Sequence, residues 1–571
     1  MTVIFNEPSD FAEDALDGFV ELYADRLSAV PGGVVAHRRG EPKVAVVIGG
    51  GSGHYPAFAG LVGPGFATGA VVGNIFTSPS AAQVYSVAKA ANEGRGVVLS
   101  FGNYAGDVMN FGIAAERLRS EGIDTRIVLV TDDVGSSPEA DQRRGIAGDF
   151  TVFKVMGAAA AEGLSLDEVE RLGRAANDST RSLGVAFSGC TMPGSSDPLF
   201  SIPSGLVSVG LGIHGEPGVR DVARLTADEL AQLLFDGVLS NRPAGDSTRV
   251  AVILNGLGTT KYEELFVLWK ALSRLVSDAG LAVVGVEVGE LVTSLDMGGC
   301  SLTLMWLDEE LERAWTADAY TPAYRKISAG LEKLTPVEPG AASIAQASAP
   351  DSTEASRALM PLLVAAVSTV RAVVHDNAIE LGDIDAVAGD GDHGRGMVKG
   401  IDAAAGIVDN SMSGGIAWNL RQAGREWATR AGGTSGVLWG AGLEAAAEAI
   451  GDDRHEYDAA VVTAAAEAFL GAIQQLGGAQ VGDKTFVDAL VPFIHTLKRE
   501  VDRGEELAAA WSSAADAATL AAAATESLTP KKGRARPLAE RSIGTPDAGA
   551  TSFALIVGAL AQPRTAWKAD S

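Results

Sequence analysis

The sequence predicts a multidomain chain, α/β in its first part and all-α in its second. Three observations carry this. Short β-branched apolar runs alternate with helical spacing up to about residue 334. A stretch rich in Pro, Ala and Ser follows without periodicity, TPVEPGAASIAQASAPDSTEAS over 335–356. Beyond it alanine dominates and strand-like runs nearly vanish.

Taken in order, the candidate strands are VAVVIGG (44–50), GVVLSFG (96–102), RIVLVTDD (126–133), VAVILNG (250–256), LAVVGVEVG (281–289) and SLTLMWL (301–307). Apolar runs of this length between amphipathic helical patterns read as buried strands. They fall into two clusters, before and after about residue 190, which predicts two lobes within 1–334. The segment 335–356 reads as a linker and 357–571 as a helical domain. AAAWSSAADAATLAAAATESL (508–528) is typical of the latter: alanine favours the helix, and small side chains let helices approach closely.

Bulk properties narrow the function. A chain of 571 residues is too long for one core. With 47% hydrophobic and 20% charged residues it has the balance of a folded, soluble protein. The formal net charge of -27 repels phosphate backbones, so no nucleic-acid partner is expected. An anionic nucleotide would need a local remedy, such as metal ions, backbone N–H groups or placed arginines. Cys190 and Cys300 lack metal-ligand spacing and suit a reducing, cytoplasmic setting. MTVIFNEPSDF has no signal-peptide pattern, and no run of about 20 apolar residues is seen, so no membrane span is expected.

The first strand runs into Gly49, Gly50, Gly51, Ser52, Gly53 and His54. Such a turn at the carboxyl end of an α/β strand exposes N–H groups to a small ligand, with His54 on its wall; the bland reading is a tight turn. FGNYAGDVMNFG (101–112) repeats the arrangement after the second strand. Asp107 fits two roles there, helix N-cap or general base, and the sequence does not separate them. No P-loop pattern is present.

GLGIHGEPG (210–218) fits G-x-G-x-x-G, the dinucleotide fingerprint. That motif must open a helix whose N-terminus holds a pyrophosphate. The next helix signal is the capping box Thr226-x-x-Glu229, well downstream, which counts against the nucleotide reading.

GDIDAVAGDGDHGRGM (382–397) places Asp385, Asp390 and Asp392 within eight positions. Three crowded carboxylates repel unless a cation compensates. The spacing departs from the EF-hand, and Mg2+ shared with substrate phosphates fits better; the bland reading is a solvated acidic loop. AGGTSGVL (431–438), GGAQVGDKTF (477–486) and GRARPLAERSIGTPDAGA (533–550) add glycine-bearing segments, hydroxyls at Thr434 and Ser435, and Arg534.

These stretches, with RGIAGD (144–149), resemble the single-chain, ATP-dependent dihydroxyacetone kinases in type and order over nearly the whole chain. The resemblance implies a two-lobed α/β ketose-binding domain, a C-terminal eight-helix barrel holding Mg-ATP, and a homodimer. It implies that His214 adds to the ketose carbonyl as a covalent hemiaminal. Gly51, Ser52, Gly53, His54 and Gly102 would line the ketose site, with Asp107 as acid–base carboxylate and His54 assisting. Asp385, Asp390 and Asp392 would ligate magnesium. His393, Gly394, Arg395, Gly396, Thr434, Ser435, Gly477, Thr485, Phe486, Arg534, Asp547, Ala548 and Gly549 would line the ATP site.

Two departures bear on the substrate. The family pattern GGGSGHEPAHAG reads GGGSGHYPAFAG here, with Tyr55 and Phe58, and a lysine before NYTGD is replaced by Gly102. Loss of that lysine removes a donor and leaves space, which puts erythrulose level with dihydroxyacetone. The competing classes are an NAD-dependent oxidoreductase, a ketose-sensing regulator without catalysis, and a kinase drawing on a phosphoprotein instead of ATP.

Overall fold

The computed structural model describes residues 2–37, 40–328, 349–410, 414–532 and 536–562. The chain divides into two compact units, 1–337 and 338–571.

The first unit holds two six-stranded sheets. The first contains β1 (Leu27–Val30), β2 (Gly33–Ala36), β3 (Ala45–Ser52), β4 (Gly69–Ile75), β5 (Val97–Gly102) and β6 (Thr125–Val130), in the order β1-β2-β4-β3-β5-β6. Its β4, β3, β5 and β6 run parallel. The second contains β7 (Thr180–Ala186), β8 (Leu206–Val209), β9 (Arg220–Ala223), β10 (Arg249–Gly256), β11 (Ala282–Gly289) and β12 (Gly299–Trp306), in the order β11-β10-β12-β7-β8-β9. Only β10 and β11 pair in parallel there. All six predicted strands are present within two residues of their expected ends, except that the run 126–133 leaves the ladder after Val130. The sequence reading missed β1, β2, β4, β7, β8 and β9. Four of these are only four residues long, too short for period-two alternation to register.

The helix Gly148–Ala161 packs on β3, β5 and β6 of one sheet and on β7 of the other. All but one of its 14 residues are buried. A helix that is apolar all round belongs inside a core. Phe150 and Phe153 of this helix join Ile48, Val98, Ile253 and Met305 in one cluster that draws on both sheets.

In the second unit every described element is a helix. Eight long helices form a closed ring: Met360–Asp376, His393–Asn410, Ile416–Ala431, Gly433–Ile450, Ala459–Gly477, Val487–Asp502, Leu507–Ala524 and Ala548–Ala561. Each packs on the next, and the last returns to the first. This is the expected barrel. Two helices, Glu354–Asp376 and Ala459–Gly477, are long and apolar enough to cross a membrane, by length and composition only, so the expectation that no such stretch exists is corrected. Both give side chains to the barrel core, among them Leu363, Val374, Phe469 and Ile473.

Candidate active site

The first site is built where strands end. β3 runs out at Ser52 and delivers His54, while β5 runs out at Gly102 and feeds the helix Ala105–Ser120, which carries Asp107 in its first turn. These are neighbouring parallel strands, so their carboxyl ends open on one crevice. His214 comes from the connection between β8 and β9 of the second sheet. Gly50, Gly51, His54, Phe58, Gly102, Tyr104, Asp107, Asp149, His214 and Val292 line one pocket.

Two imidazoles meet in it. His54 Nε2 lies 3.0 Å from His214 Nε2. His54 Nδ1 lies 2.7 Å from the Thr293 carbonyl, which can only accept, so that nitrogen carries hydrogen. Burial holds His54 down to about 3, helped by the nearby charge of His214. His54 Nε2 is therefore the acceptor and His214 Nε2 the donor. His214 Nδ1 faces Glu216 Oε1 at 3.1 Å, and the His214 backbone N–H donates to Glu216 Oε2. Burial would raise the Glu216 carboxyl, but the His214 hydrogen bond and the charges of His214 and Arg144 hold it down to about 2. Arg144 is itself fixed by Asp133 at 2.9 Å and by the Gly210 carbonyl. Phe76 stacks on His54, and Phe76 and Tyr104 meet His214 edge-on.

The glycines of GLGIHGEPG now have a geometric role. A Cβ at Gly212 would run into Glu216 Oε2 and Arg144 Nη1, so a bare backbone is what lets Glu216 fold back onto His214. The segment continues into β9, and the following helix starts at Ala227 behind a Thr226–Glu229 capping box. No helix follows the glycines directly, as the dinucleotide reading requires.

Asp107 is buried, its Oδ1 has no hydrogen-bond partner, and burial pushes its carboxyl up against the opposing effects of Ser78 and His214. The expected space beside Gly102 is corrected on one side: a Cβ there would lie 3.0 Å from the Tyr104 ring. Ser52 and Gly53 stand behind the pocket wall. The Gly53 carbonyl accepts from Leu295 N–H, and the Ser52 carbonyl accepts from Phe76 N–H. Phe58 is buried and faces the His54 ring edge-on, while Tyr55 is half-exposed.

The second site lies in the barrel. Asp385 sits in the last turn of the helix Ala378–Ala386, and Asp390 and Asp392 in the loop before His393. One carboxylate oxygen from each lies within 4.8 Å of the others. Three hard, solvent-reachable oxygens at this spacing fit a magnesium ion that keeps further positions for water and phosphate. Ring neighbours joined by short connections run antiparallel, so alternate helices begin at the same end. His393, Thr434 and Phe486 stand at three such beginnings, Gly477 at a helix end between them, with Gly394, Arg395, Gly396, Ser435 and Thr485 beside them. Ala548, flanked by Asp547 and Gly549, opens the last helix, which meets His393 through Ser552. Helix N-termini carry free N–H groups and partial positive charge, which suits phosphates on an acidic protein.

Contacts tie this end together. His393 Nε2 is 2.9 Å from Ser552 Oγ, Asp547 caps the last helix through Ala550 N–H, and a Cβ on Gly549 would press on Phe486. Thr434 and Ser435 are exposed. Arg534 lies outside the described residues.

Comparisons with known proteins give the family and the fold. The Dak1 domain matches residues 17–323 and the DAK2 domain residues 387–562. The chain is 55% identical to a D-erythrulose kinase of Mycolicibacterium smegmatis, over 98% of both chains. It is 51% identical to an L-erythrulose kinase of Pectobacterium atrosepticum, over 98% of this chain and 96% of that one. The structure of the dihydroxyacetone kinase from C. freundii in complex with AMP-PNP and Mg2+ is 30% identical, with a TM-score of 0.57 over 98% of this chain and 99% of that one. Fold and site together define an ATP-dependent phosphotransferase acting on a small ketose. The chain belongs to the single-chain dihydroxyacetone kinase family.

Several residues of the sites went unpredicted. Glu216 stood two positions from His214 and was legible as a carboxylate beside an imidazole. Thr293 lies 239 positions from His54 with no local pattern to flag it, and Asp149, 95 positions away, closes the RGIAGD stretch, which by itself gives it no role. In the barrel, Asp488 shapes the 482–485 turn by accepting from Gly482 and Thr485 N–H groups, and Lys484 donates to the Ser542 carbonyl.

Proposed function

We propose that the substrate is erythrulose and that it is phosphorylated on a terminal hydroxyl while bound to His214 as a hemiaminal. The observation that carries this is the 3.0 Å contact between His54 Nε2 and His214 Nε2 in a pocket shared with Asp107. His54 accepts the hydrogen from His214 Nε2. The freed lone pair forms the C–N bond at the ketose C2, the carbonyl π pair moves onto oxygen, and His54 returns the proton to that oxygen. Glu216 stays opposite Nδ1–H throughout and offsets the positive charge of the ring. A polyol has no carbonyl and is not held.

Asp107 then takes the proton from the terminal hydroxyl as its oxygen attacks phosphorus, and its upward shift makes it the stronger base. Asp385, Asp390 and Asp392 hold magnesium, which offsets phosphate charge when bound. The remaining barrel residues named above bind ATP. In this reading 1–334 is the ketose domain, with lobes meeting near residue 190, and 357–571 is the ATP domain. The two names of erythrulose kinases at 51% and 55% identity support the four-carbon substrate.

The protein is a homodimer in this reading, for which the exposed Tyr262, Phe266 and Val267 on one helix supply apolar surface; light scattering after gel filtration tests it. Cytoplasmic placement accords with Cys190 and Cys300 being buried and unpaired. The substrate is tested by coupled ADP release over dihydroxyacetone, D-erythrulose, L-erythrulose and glyceraldehyde. A kcat/KM highest for dihydroxyacetone sinks the erythrulose assignment.

A further inference from the structure

Eight buried side-chain nitrogen or oxygen atoms lack a hydrogen-bond partner among the described residues, and two of them, Asp107 Oδ1 and Asp149 Oδ1, belong to residues lining the ketose pocket. Asp107 has a role in the chemistry. Asp149 has none so far, although it is 3% exposed. A buried polar atom without a partner is destabilising by about 1–3 kcal/mol, so its retention in a pocket points to a ligand that satisfies it.

The surroundings close off other partners. Asp149 lies in the first turn of the buried helix Gly148–Ala161. A Cβ built on Gly145 would lie 3.1 Å from Asp149 Oδ1 and 2.5 Å from the Gly102 Cα. A bare glycine, Gly145, therefore stands against this carboxyl and brings no side-chain donor. The Tyr104 hydroxyl donates to the Gly145 carbonyl instead, at 3.0 Å. The two histidines are committed to each other, to Thr293 and to Glu216.

We propose that Asp149 is a specificity-determining residue whose carboxyl hydrogen-bonds the C4 hydroxyl of a four-carbon ketose that is phosphorylated on its C1 hydroxyl, the C4 group being the one that dihydroxyacetone lacks. The proposal rests on the erythrulose reading above. His214 fixes C2 and Asp107 takes the reacting hydroxyl, which leaves the far end of the chain for Asp149. The two carboxyls divide the work by environment. Burial, together with the charges of Asp132 and Asp107, pushes the Asp149 carboxyl well above the usual carboxylate range, which favours the neutral form that can donate as well as accept. A site that leaves a buried polar group unpaired rejects the analogue lacking its partner.

The test compares wild type, Asp149→Ala and Asp149→Asn, with D- and L-erythrulose, dihydroxyacetone and the 4-deoxy analogue 1,3-dihydroxybutan-2-one. Wild type should favour one erythrulose over the 4-deoxy analogue by at least about tenfold. Asp149→Ala should lose about 10- to 100-fold in kcat/KM with that erythrulose, and less than about threefold with the two ketones lacking the hydroxyl. Asp149→Asn, nearly isosteric and still able to hydrogen-bond, should retain most erythrulose turnover and guards against a folding defect. Equal losses with all ketoses, or none, overturn the role of Asp149 while leaving the erythrulose reading in place. A wild type that turns over dihydroxyacetone and neither erythrulose overturns that reading and this proposal together.

Discussion

His54 and His214, 160 positions apart and carried by loops of different sheets, meet Nε2 to Nε2 at 3.0 Å. Each ring is held at its other nitrogen, by the Thr293 carbonyl and the Glu216 carboxylate. In the proposed mechanism the contact joins the nucleophile to the group that receives its hydrogen, and removing either partner has a distinct outcome.

His214→Ala should abolish the ketose-derived mass increase seen by intact-protein mass spectrometry. It should also lower kcat/KM by about 1,000-fold or more, because the substrate loses its fixed orientation. A mass adduct that survives the substitution rules out His214 as the point of attachment.

Glu216→Gln keeps the side-chain shape and removes the charge opposite His214 Nδ1. A loss of about 10- to 100-fold in kcat/KM is expected, the size of a charge-assisted hydrogen bond, with thermal unfolding little changed. Unaltered kinetics would remove Glu216 from the machinery.

Acid should destabilise the first unit in a characteristic window. His54 is held at about 3 in the fold against an ordinary 6.5, so between these values the unfolded chain binds a proton that the folded chain does not. Its contribution is complete above pH 6.5 and is lost as pH falls toward 3. Glu216 acts in the same direction over the lower interval from 4.5 to about 2. Asp107, shifted upward by burial, has the opposite sign and favours the fold at low pH. Urea midpoints measured from pH 7 to pH 4.5 should decline less steeply for His54→Gln than for wild type. Parallel curves contradict the assignment.

Asp392→Asn should weaken magnesium dependence without touching the ketose. In a magnesium titration of ATP turnover, kcat should fall by about 100-fold, while the adduct on His214 still forms. A normal magnesium response in the variant would move the ion elsewhere.

The sequence was most legible where patterns are local. Buried strands such as Val97–Gly102 announce themselves by continuous apolar runs, and the Thr226–Glu229 capping box located a helix start to the residue. Strands such as β8 and β9 are too short to show a period. The helix Glu354–Asp376 misled in the other direction: interrupted apolar spacing hid a segment that is long and apolar as a whole.

The roles of His54, Asp107 and His214 stand in the sequence only as what its resemblance to the family implies; by itself the sequence determined the division into an α/β part and a helical part and the crowding of the three aspartates. Each of these follows from residue type and near-neighbour spacing, which short-range backbone physics makes readable. Only the tertiary structure decided that His54 rather than solvent faces His214, that Thr293 sets its tautomer, that the Tyr104 ring closes one side of Gly102, and that Asp149 stands unpaired in the pocket. Those facts depend on segments brought together by burial of a shared core, and burial acts on apolar surface without regard to distance along the chain.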